Sequence, residues 1–238
     1  MEDCWASSLG DCGGGISREH LVSECLFKDQ YIFVQGLDWC IDAPKQLRIE
    51  SLTEKILCKD HNSRLSSLDA AACRAFEIIP QFADVTTERN KLPYLPWAPK
   101  HFTIDSPKLE RWCLKTLLNF SFKRNLIIGP GSHPTGVVPA HLVRIAFGIE
   151  EFTDGQGLYI AFKDHETFSF QPRFGYTAKA QDEHLAMGSF RFYGFRFYLN
   201  LFPQVTPYTG IEESRVFYRK TRFAQNLGSR FSHDLSIG

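Results

Sequence analysis

The chain has 238 residues, of which 43% are hydrophobic and 14% aromatic, and its formal net charge is zero. This composition predicts a packed globular protein of one large or two small domains and excludes a disordered chain. The sequence contains no run of about 18 apolar residues, and its N-terminus lacks the basic start and apolar stretch of a signal peptide. We therefore expect a cytoplasmic protein without a membrane partner.

Charge is unevenly distributed along the chain. Residues 1–80 carry eight Lys and Arg against thirteen Asp and Glu, whereas residues 81–238 carry nineteen against fourteen. The segment 214–233 contains no acid, and its cations are Arg215, Arg219, Lys220, Arg222 and Arg230. If the partner is nucleic acid, phosphate contacts are expected from the second half and from this basic C-terminal tail.

The N-terminal 80 residues combine cysteines with short apolar segments. Seven cysteines in a chain without a secretion signal favour free thiols or metal ligands over a disulfide framework. Residues 31–41 and 46–58 are predicted to be extended. From Ser63 the apolar residues recur every three or four positions, which predicts a helix that ends at or before Pro80. The apolar positions of this helix are Leu65, Leu68, Ala72, Phe76 and Ile79.

The proline-rich stretch 80–107 is interpreted as a connection, which places a domain boundary near residue 80 and gives domains 1–80 and 81–238. In the second half, Ser106 is expected to cap a helix with Pro107 at its first position, and Cys113 on that helix is interpreted as a buried apolar side chain. Glycines in the segment 129–136 are interpreted as a loop that binds no phosphate, because no Lys-Ser or Lys-Thr pair follows them.

The remaining second half is predicted to hold a short helix and an antiparallel sheet. The helix is expected over Ala140 to Gly148, and strands are expected on both sides of a turn at residues 163–166. Residues 190–202 alternate aromatic residues with arginine and are interpreted as a single central strand buried on both faces. A base-stacking platform for nucleic acid is the alternative interpretation of those aromatics.

A metal site is indicated by Cys58 and His61, which lie three residues apart and need a second pair of ligands to complete a tetrahedral zinc site. Cys4 and Cys12 are the candidate second pair, and Cys25 or Cys40 could replace Cys4. Asn62 directly follows His61, and the dipeptide Glu19-His20 lies between the two candidate pairs.

The ordered combination of Glu19-His20 with Cys58-x-x-His61-Asn62 resembles the HNH, or His-Me finger, endonuclease superfamily in its ββα-metal form, over residues 1–80. Bacterial proteins described only as HNH-like are also similar in the segments after residue 65. The resemblance implies an α+β protein in which an N-terminal zinc-stabilised ββα-metal finger precedes an α+β domain with an antiparallel sheet.

The resemblance also implies roles for individual residues. His20 would be the general base, and Glu19 with Asn62 would hold a catalytic divalent cation, Mg²⁺ or Mn²⁺. Cys4, Cys12, Cys58 and His61 would hold a structural Zn²⁺. These ligand and base assignments rest on the family pattern. The position of the family's middle asparagine is Thr53 here, whose hydroxyl, or else a backbone carbonyl, would have to orient the imidazole.

The expected function is therefore hydrolysis of phosphodiester bonds in nucleic acid, with DNA preferred to RNA, and the resemblance suggests a role in bacterial or antiviral defence. Two other functions remain open from the sequence. One is a zinc-stabilised module that binds nucleic acid or protein without catalysis. The other is a cysteine-nucleophile enzyme with His20 or His61 as its base, for which no cysteine has a recognisable setting.

Overall fold

The computed structural model describes residues 3–27, 31–35, 40–163, 174–203 and 214–238. The described chain is a mixed α+β structure, as predicted. Its helices are α1 (Lys59–Lys91), α2 (Ser106–Ser121) and α3 (Ala140–Ala146). None of the helices in the described residues is long and apolar enough to span a membrane.

In the described N-terminal residues, four strands form two antiparallel pairs. They are β1 (Ile16–His20), β2 (Tyr31–Val34), β3 (Lys45–Arg48) and β4 (Thr53–Cys58). Strand β1 pairs with β4, and β2 pairs with β3. The chain passes directly from β4 into α1. The predicted extended segment 31–41 contains β2, whereas the predicted segment 46–58 is divided into β3 and β4 by a 3₁₀ turn at Ile49–Ser51.

The other strands form two larger sheets. They are β5 (Lys100–Ile104), β6 (Ile127–Ile128), β7 (Gly157–Lys163), β8 (Phe174–Gln181), β9 (His184–Phe192), β10 (Phe195–Asn200), β11 (Ser214–Tyr218), β12 (Thr221–Leu227) and β13 (Arg230–Ile237). One sheet has the order β11-β7-β10-β9, with β8 and the short β6 also paired with β9. The other has the order β12-β13-β5, in which β13 and β5 are parallel.

Helix α1 is longer than the sequence predicted. Its five periodic apolar residues are all buried, which confirms the predicted face, but the helix starts at Lys59 and continues through Pro80 to Lys91. A proline inside a helix removes one hydrogen bond, yet burial on both sides of it offsets that loss. Phe76 packs on Phe192, and Phe82 packs on Phe102. The predicted end of the helix at Pro80 is therefore wrong.

The segment 80–107 is accordingly not a simple connection, since it contains the end of α1 and all of β5. One contiguous hydrophobic core includes residues from both sides of position 80. The division into domains at residue 80 stays a prediction.

The predicted single strand 190–202 is in fact a hairpin. Strands β9 and β10 pair across a two-residue turn in which Tyr193 has φ 49° and Gly194 has φ 98°. Both angles are typical of a tight hairpin turn, and glycine adopts the second without strain. Strand β10 lies between β7 and β9, so the predicted central position is confirmed. The aromatics Phe190, Phe192, Phe195 and Phe197 are fully buried, which confirms the core interpretation over the stacking platform.

The other predictions for the second half are partly confirmed and partly corrected. Helix α3 and the loop at residues 129–136 are confirmed, and Cys113 is completely buried. Helix α2 starts one residue earlier than predicted, since the carboxylate of Asp105, and not Ser106, accepts the capping hydrogen bond from Lys108 N. Strand β7 confirms the first half of the predicted hairpin near 163–166, and the rest of that hairpin lies outside the described residues.

Candidate metal centre

Four potential metal ligands converge at the junction of β4 and α1. Cys58 ends β4 and its sulfur accepts a hydrogen bond from the backbone N–H of His61 at 3.4 Å, so it caps the helix on which His61 lies. Cys4 and Cys12 lie on either side of a 3₁₀ turn at Ser7–Leu9. The ligand atoms of Cys4, Cys12, Cys58 and His61 all lie within 4.8 Å of one another.

The distances between the ligand atoms fit tetrahedral coordination of a metal ion. The Nδ1 atom of His61 lies 3.3, 3.7 and 3.2 Å from the sulfurs of Cys4, Cys12 and Cys58. Sulfur and nitrogen ligands at ordinary zinc bond lengths are separated by about 3.6 Å in a tetrahedral site. The group could therefore hold a metal ion such as zinc, and the four ligands predicted from the sequence are the residues that meet. Three cysteines and one histidine with no open position are typical of structural zinc.

The alternative ligands do not reach this cluster. Cys25 forms a disulfide with Cys73 on α1, and Cys40 is buried outside the group of ligands. The disulfide also corrects the expectation that the cysteines would be free thiols or metal ligands. Sequence spacing alone could not reveal this pair, because the two residues lie 48 positions apart.

Glycines after Cys12 allow the N-terminal segment to approach the start of α1. The backbone N–H of Lys59 donates to the carbonyl of Gly15 at 2.9 Å. A Cβ atom at Gly13 would lie 2.0 Å from a carboxylate oxygen of Asp60, and Gly14 has φ 70° with Lys59 Cβ only 2.9 Å from the corresponding position. Larger residues would separate the two segments and move Cys12 away from the other ligands.

The second ring nitrogen of His61 has its own partner. His61 Nε2 lies 2.6 Å from Asp11 Oδ1, while Arg64 Nη1 lies 2.6 Å from Asp11 Oδ2. The hydrogen bond from His61, reinforced by Arg64, lowers the pKa of Asp11. A carboxylate on the far nitrogen fixes the imidazole tautomer so that Nδ1 presents its lone pair to the ion.

Sequence reasoning missed Asp11 and Arg64 as parts of the centre. The position of Asp11 next to Cys12 could have indicated its role, since a residue adjacent to a ligand lies close to the metal site. Phe147, which follows α3, was also missed. Its ring lies 5.3 Å from the ring of His61 and 4.8 Å from the guanidinium of Arg64, so the second half of the chain covers the centre.

The thiols have different acidities. Burial raises the pKa of Cys4 to about 12 and also raises the pKa of Cys12. Burial acts in the same direction on Cys58, but hydrogen bonds from the backbone of His61 and Gly13, with those from the neighbouring thiols, lower its pKa overall. A bound cation would favour the thiolate form of all three, because the thiolate is the ligand form of cysteine.

Glu19, predicted to hold a catalytic cation, instead contacts a lysine. Lys115 Nζ on α2 lies 2.6 Å from Glu19 and 2.7 Å from Asp69 on α1, and the lysine is 2% exposed. Burial raises the pKa of Glu19, although the ammonium of Lys115 acts in the opposite direction. The hydroxyl of Ser23 donates to Asp69 at 2.6 Å and accepts from Trp112 Nε1 at 2.8 Å, which extends this buried network.

Asn62, the other predicted cation ligand, has no recorded contact with Glu19. Its side-chain amide donates to Ser17 Oγ at 3.4 Å, and Ser17 in turn donates to the carbonyl of Leu57 at 3.1 Å. As arranged here, Glu19 and Asn62 do not form a shared site for a divalent cation, because Glu19 pairs with Lys115 whereas Asn62 bonds to Ser17.

His20 ends β1, opposite Thr53 at the start of β4. Its Nε2 atom is buried and has no hydrogen-bond partner in the described part of the chain, while Glu24 lies 3.9 Å away. The hydroxyl of Thr53 points to the carbonyl of Glu50 at 3.5 Å, and no bond from it to His20 is recorded. The carbonyl of His20 accepts from Asn119 Nδ2 on α2 at 3.2 Å, which fixes the end of the strand.

The basic C-terminal segment is not an extended tail, since it forms β11, β12 and β13. Several of its cations are already engaged with the protein. Arg219 pairs with Glu110 at 3.0 Å, Arg222 pairs with the buried Asp234, and Arg230 donates to the carbonyl of Pro93 at 3.4 Å. These pairs reduce the charge that the segment offers to phosphate.

No protein-family model matches the chain, and neither the curated proteins nor the solved structures contain a match. The function is therefore inferred from the geometry of the metal centre and its surroundings.

Proposed function

We propose that the chain is an HNH-type endonuclease that hydrolyses phosphodiester bonds of nucleic acid, with His20 as the general base and a structural zinc in the Cys4, Cys12, Cys58 and His61 centre. The observation that carries the proposal is the position of His20. It ends the strand that is paired with β4, and β4 delivers Cys58 to the metal centre before the chain enters α1.

The chemistry of His20 supports this role. An imidazole nitrogen can accept a proton from an attacking water. The nitrogen that would accept that proton, Nε2, is buried and makes no hydrogen bond within the described residues, so catalysis would require a local opening that lets water reach it. Asn119 donates to the backbone carbonyl of His20 and so fixes the end of the strand that carries the ring. Zinc when bound would join the N-terminal segment to the β4–α1 junction and so stabilise the two strands that carry these residues.

Two observations favour a second function, a zinc-stabilised module that binds nucleic acid or protein without cutting it. Lys115 neutralises Glu19, and Thr53 does not orient His20, so two parts of the family pattern have no catalytic counterpart in this arrangement. In this case the zinc centre and the two paired strands would have a purely structural role.

Plasmid degradation in the presence of Mg²⁺ or Mn²⁺ distinguishes the two functions. We expect the parent protein to cut DNA and His20→Ala to abolish cutting while the zinc content and the circular dichroism spectrum stay unchanged. His141→Ala, which alters a partly buried histidine on α3, is the matched control and should cut normally. An intact plasmid together with a single tightly bound zinc would support the binding module and overturn the nuclease.

A further inference from the structure

A two-stranded ribbon, formed by β2 and β3, lies in the chain between His20 and Thr53. The chain enters β2 shortly after His20, and it leaves β3 through a 3₁₀ turn at Ile49–Ser51 to reach Thr53. Because Thr53 is the cross-strand neighbour of His20, both ends of the ribbon connect to the strand ends that carry the proposed base.

The two faces of the ribbon differ in their burial. Ile32 and Leu47 are paired across the strands on the inner face and pack on the hydrophobic core. The outer face presents Tyr31, Phe33, Gln46 and Arg48, which form the two neighbouring cross-strand pairs. Tyr31 is 51% exposed and Phe33 is 75% exposed. Two aromatic side chains are therefore exposed to solvent in a ribbon of eight strand residues.

The two charged residues of the ribbon's own strands are both positive. Strands β2 and β3 contain Lys45 and Arg48 and no acidic residue, although residues 1–80 as a whole are acidic. The guanidinium of Arg48 lies over the ring of Tyr31, 5.7 Å from its centroid. Two exposed rings beside the guanidinium of Arg48 fit a chain of flat bases joined by phosphates, because the bases stack on the rings and a phosphate pairs with the cation.

We propose that the outer face of the ribbon, formed by Tyr31, Phe33, Gln46 and Arg48, binds single-stranded nucleic acid. A duplex hides the faces of its bases within the stack, whereas a single strand exposes them to Tyr31 and Phe33. The inference goes further than the proposed nuclease function, since it names the form of the substrate and the surface that holds it. It also relocates the main nucleic-acid contact from the basic C-terminal segment to the N-terminal part of the chain.

The test measures binding without cleavage. Fluorescence anisotropy of a labelled oligothymidylate of about 15 nucleotides, a length in the range of single-strand binding sites, is recorded without Mg²⁺ or Mn²⁺. We expect Phe33→Ala and Tyr31→Ala each to weaken binding about tenfold, and Phe33→Trp to restore it, because base stacking on a ring is lost and regained. Arg48→Ala should weaken binding and reduce its salt dependence.

Matched controls remove equally exposed groups elsewhere. Tyr94 is 71% exposed, and Arg74 has a side chain 66% exposed, so Tyr94→Ala and Arg74→Ala should bind like the parent. The same oligonucleotide annealed to its complement should bind more weakly than the single strand. Equal binding by the ribbon variants and the parent overturns the proposal, as does a preference for the duplex. A parent dimer that dissociates in Phe33→Ala, with no oligonucleotide binding, also overturns it and identifies the ribbon as a contact between copies.

The outcome is separable from that of the nuclease proposal. If the ribbon variants lose binding but the parent never cuts, the binding surface is supported and the nuclease proposal fails. If the parent cuts but the ribbon variants bind normally, the nuclease proposal is supported and the binding surface fails. His20→Ala should keep the binding of the parent in either case, since His20 does not lie on the ribbon.

Discussion

His61 is held at both ring nitrogens, and this double constraint distinguishes a metal ligand from an ordinary buried histidine. Nδ1 faces three sulfurs, and Nε2 lies 2.6 Å from Asp11. The imidazole is fully buried, whereas Asp11 has a side chain 55% exposed and is anchored by Arg64. The carboxylate can therefore be altered without opening the core.

Asp11→Asn is predicted to weaken zinc binding about 10- to 100-fold, because the amide no longer accepts the imidazole proton with a full negative charge. Competition with a chromophoric zinc chelator measures the change in affinity. Asp42→Asn, which alters an exposed carboxylate outside the centre, is the control and should bind zinc like the parent. Equal zinc affinity in Asp11→Asn and the parent would show that Asp11 is a surface charge with no part in the centre.

Helix α2 joins the two halves of the chain through three polar side chains on one face. Trp112, Lys115 and Asn119 are spaced by three and four residues, which places them in one line along the helix. Asn119 accepts a hydrogen bond from Trp5 Nε1 at 3.0 Å and donates to the carbonyl of His20. The helix therefore contacts the N-terminal segment at two points. Lys115 lies in the middle of the line, between the carboxylates of Glu19 and Asp69.

Lys115→Met is predicted to lower the free energy of unfolding by about 3–5 kcal/mol, because it leaves Glu19 buried near Asp69 without a cation. Urea denaturation measures the loss. Lys108→Met on the same helix removes an exposed pair with Asp105 and should cost at most about 1 kcal/mol. Adding Glu19→Gln to Lys115→Met should recover part of the loss. A deficit in Lys115→Met no larger than in Lys108→Met would contradict the buried ion pair.

The same variant should show a defined dependence on pH. Burial already holds the pKa of Glu19 above its ordinary value of 4.5, and removal of Lys115 raises it further. A carboxyl with a raised folded-state pKa binds more protons in the folded than in the unfolded chain, so stability falls as pH rises through that pKa. The deficit of Lys115→Met should therefore grow with rising pH in the range above 4.5.

The elements and ligands that were predictable are those set by neighbouring residues. The buried face of α1 follows from the period of Leu65 and the apolar residues after it, and one pair of metal ligands follows from the spacing of Cys58 and His61, whereas the full set of four rested on the family resemblance. The end of α1 was not predictable, because packing on both sides of Pro80 overrides its local preference. The partner of Glu19 was equally hidden, since Lys115 lies 96 positions away and meets it only through the packing of α2.

Residues 1–80 and 81–238 are expected to unfold together. Helix α1 crosses the predicted boundary, Phe147 covers the metal centre from the second half, and one hydrophobic core includes both parts. Elements that share a core and a helix lose their packing together when one of them unfolds. This coupling predicts that the metal centre stabilises the entire described chain.

Removal of zinc by a chelator should accordingly lower the melting temperature of the chain in one transition. An ion present at about a hundred times its dissociation constant contributes about 2.7 kcal/mol. For a chain of this size that corresponds to a shift of about 5–10 °C. Far-ultraviolet circular dichroism and tryptophan fluorescence should report the same midpoint, since the fully buried Trp112 lies in the shared core. Cys58→Ser should melt at the lower temperature and be insensitive to the chelator, whereas Cys40→Ser should still respond to it. Two separate transitions, of which the upper one ignores the chelator, would instead establish independent domains on either side of residue 80.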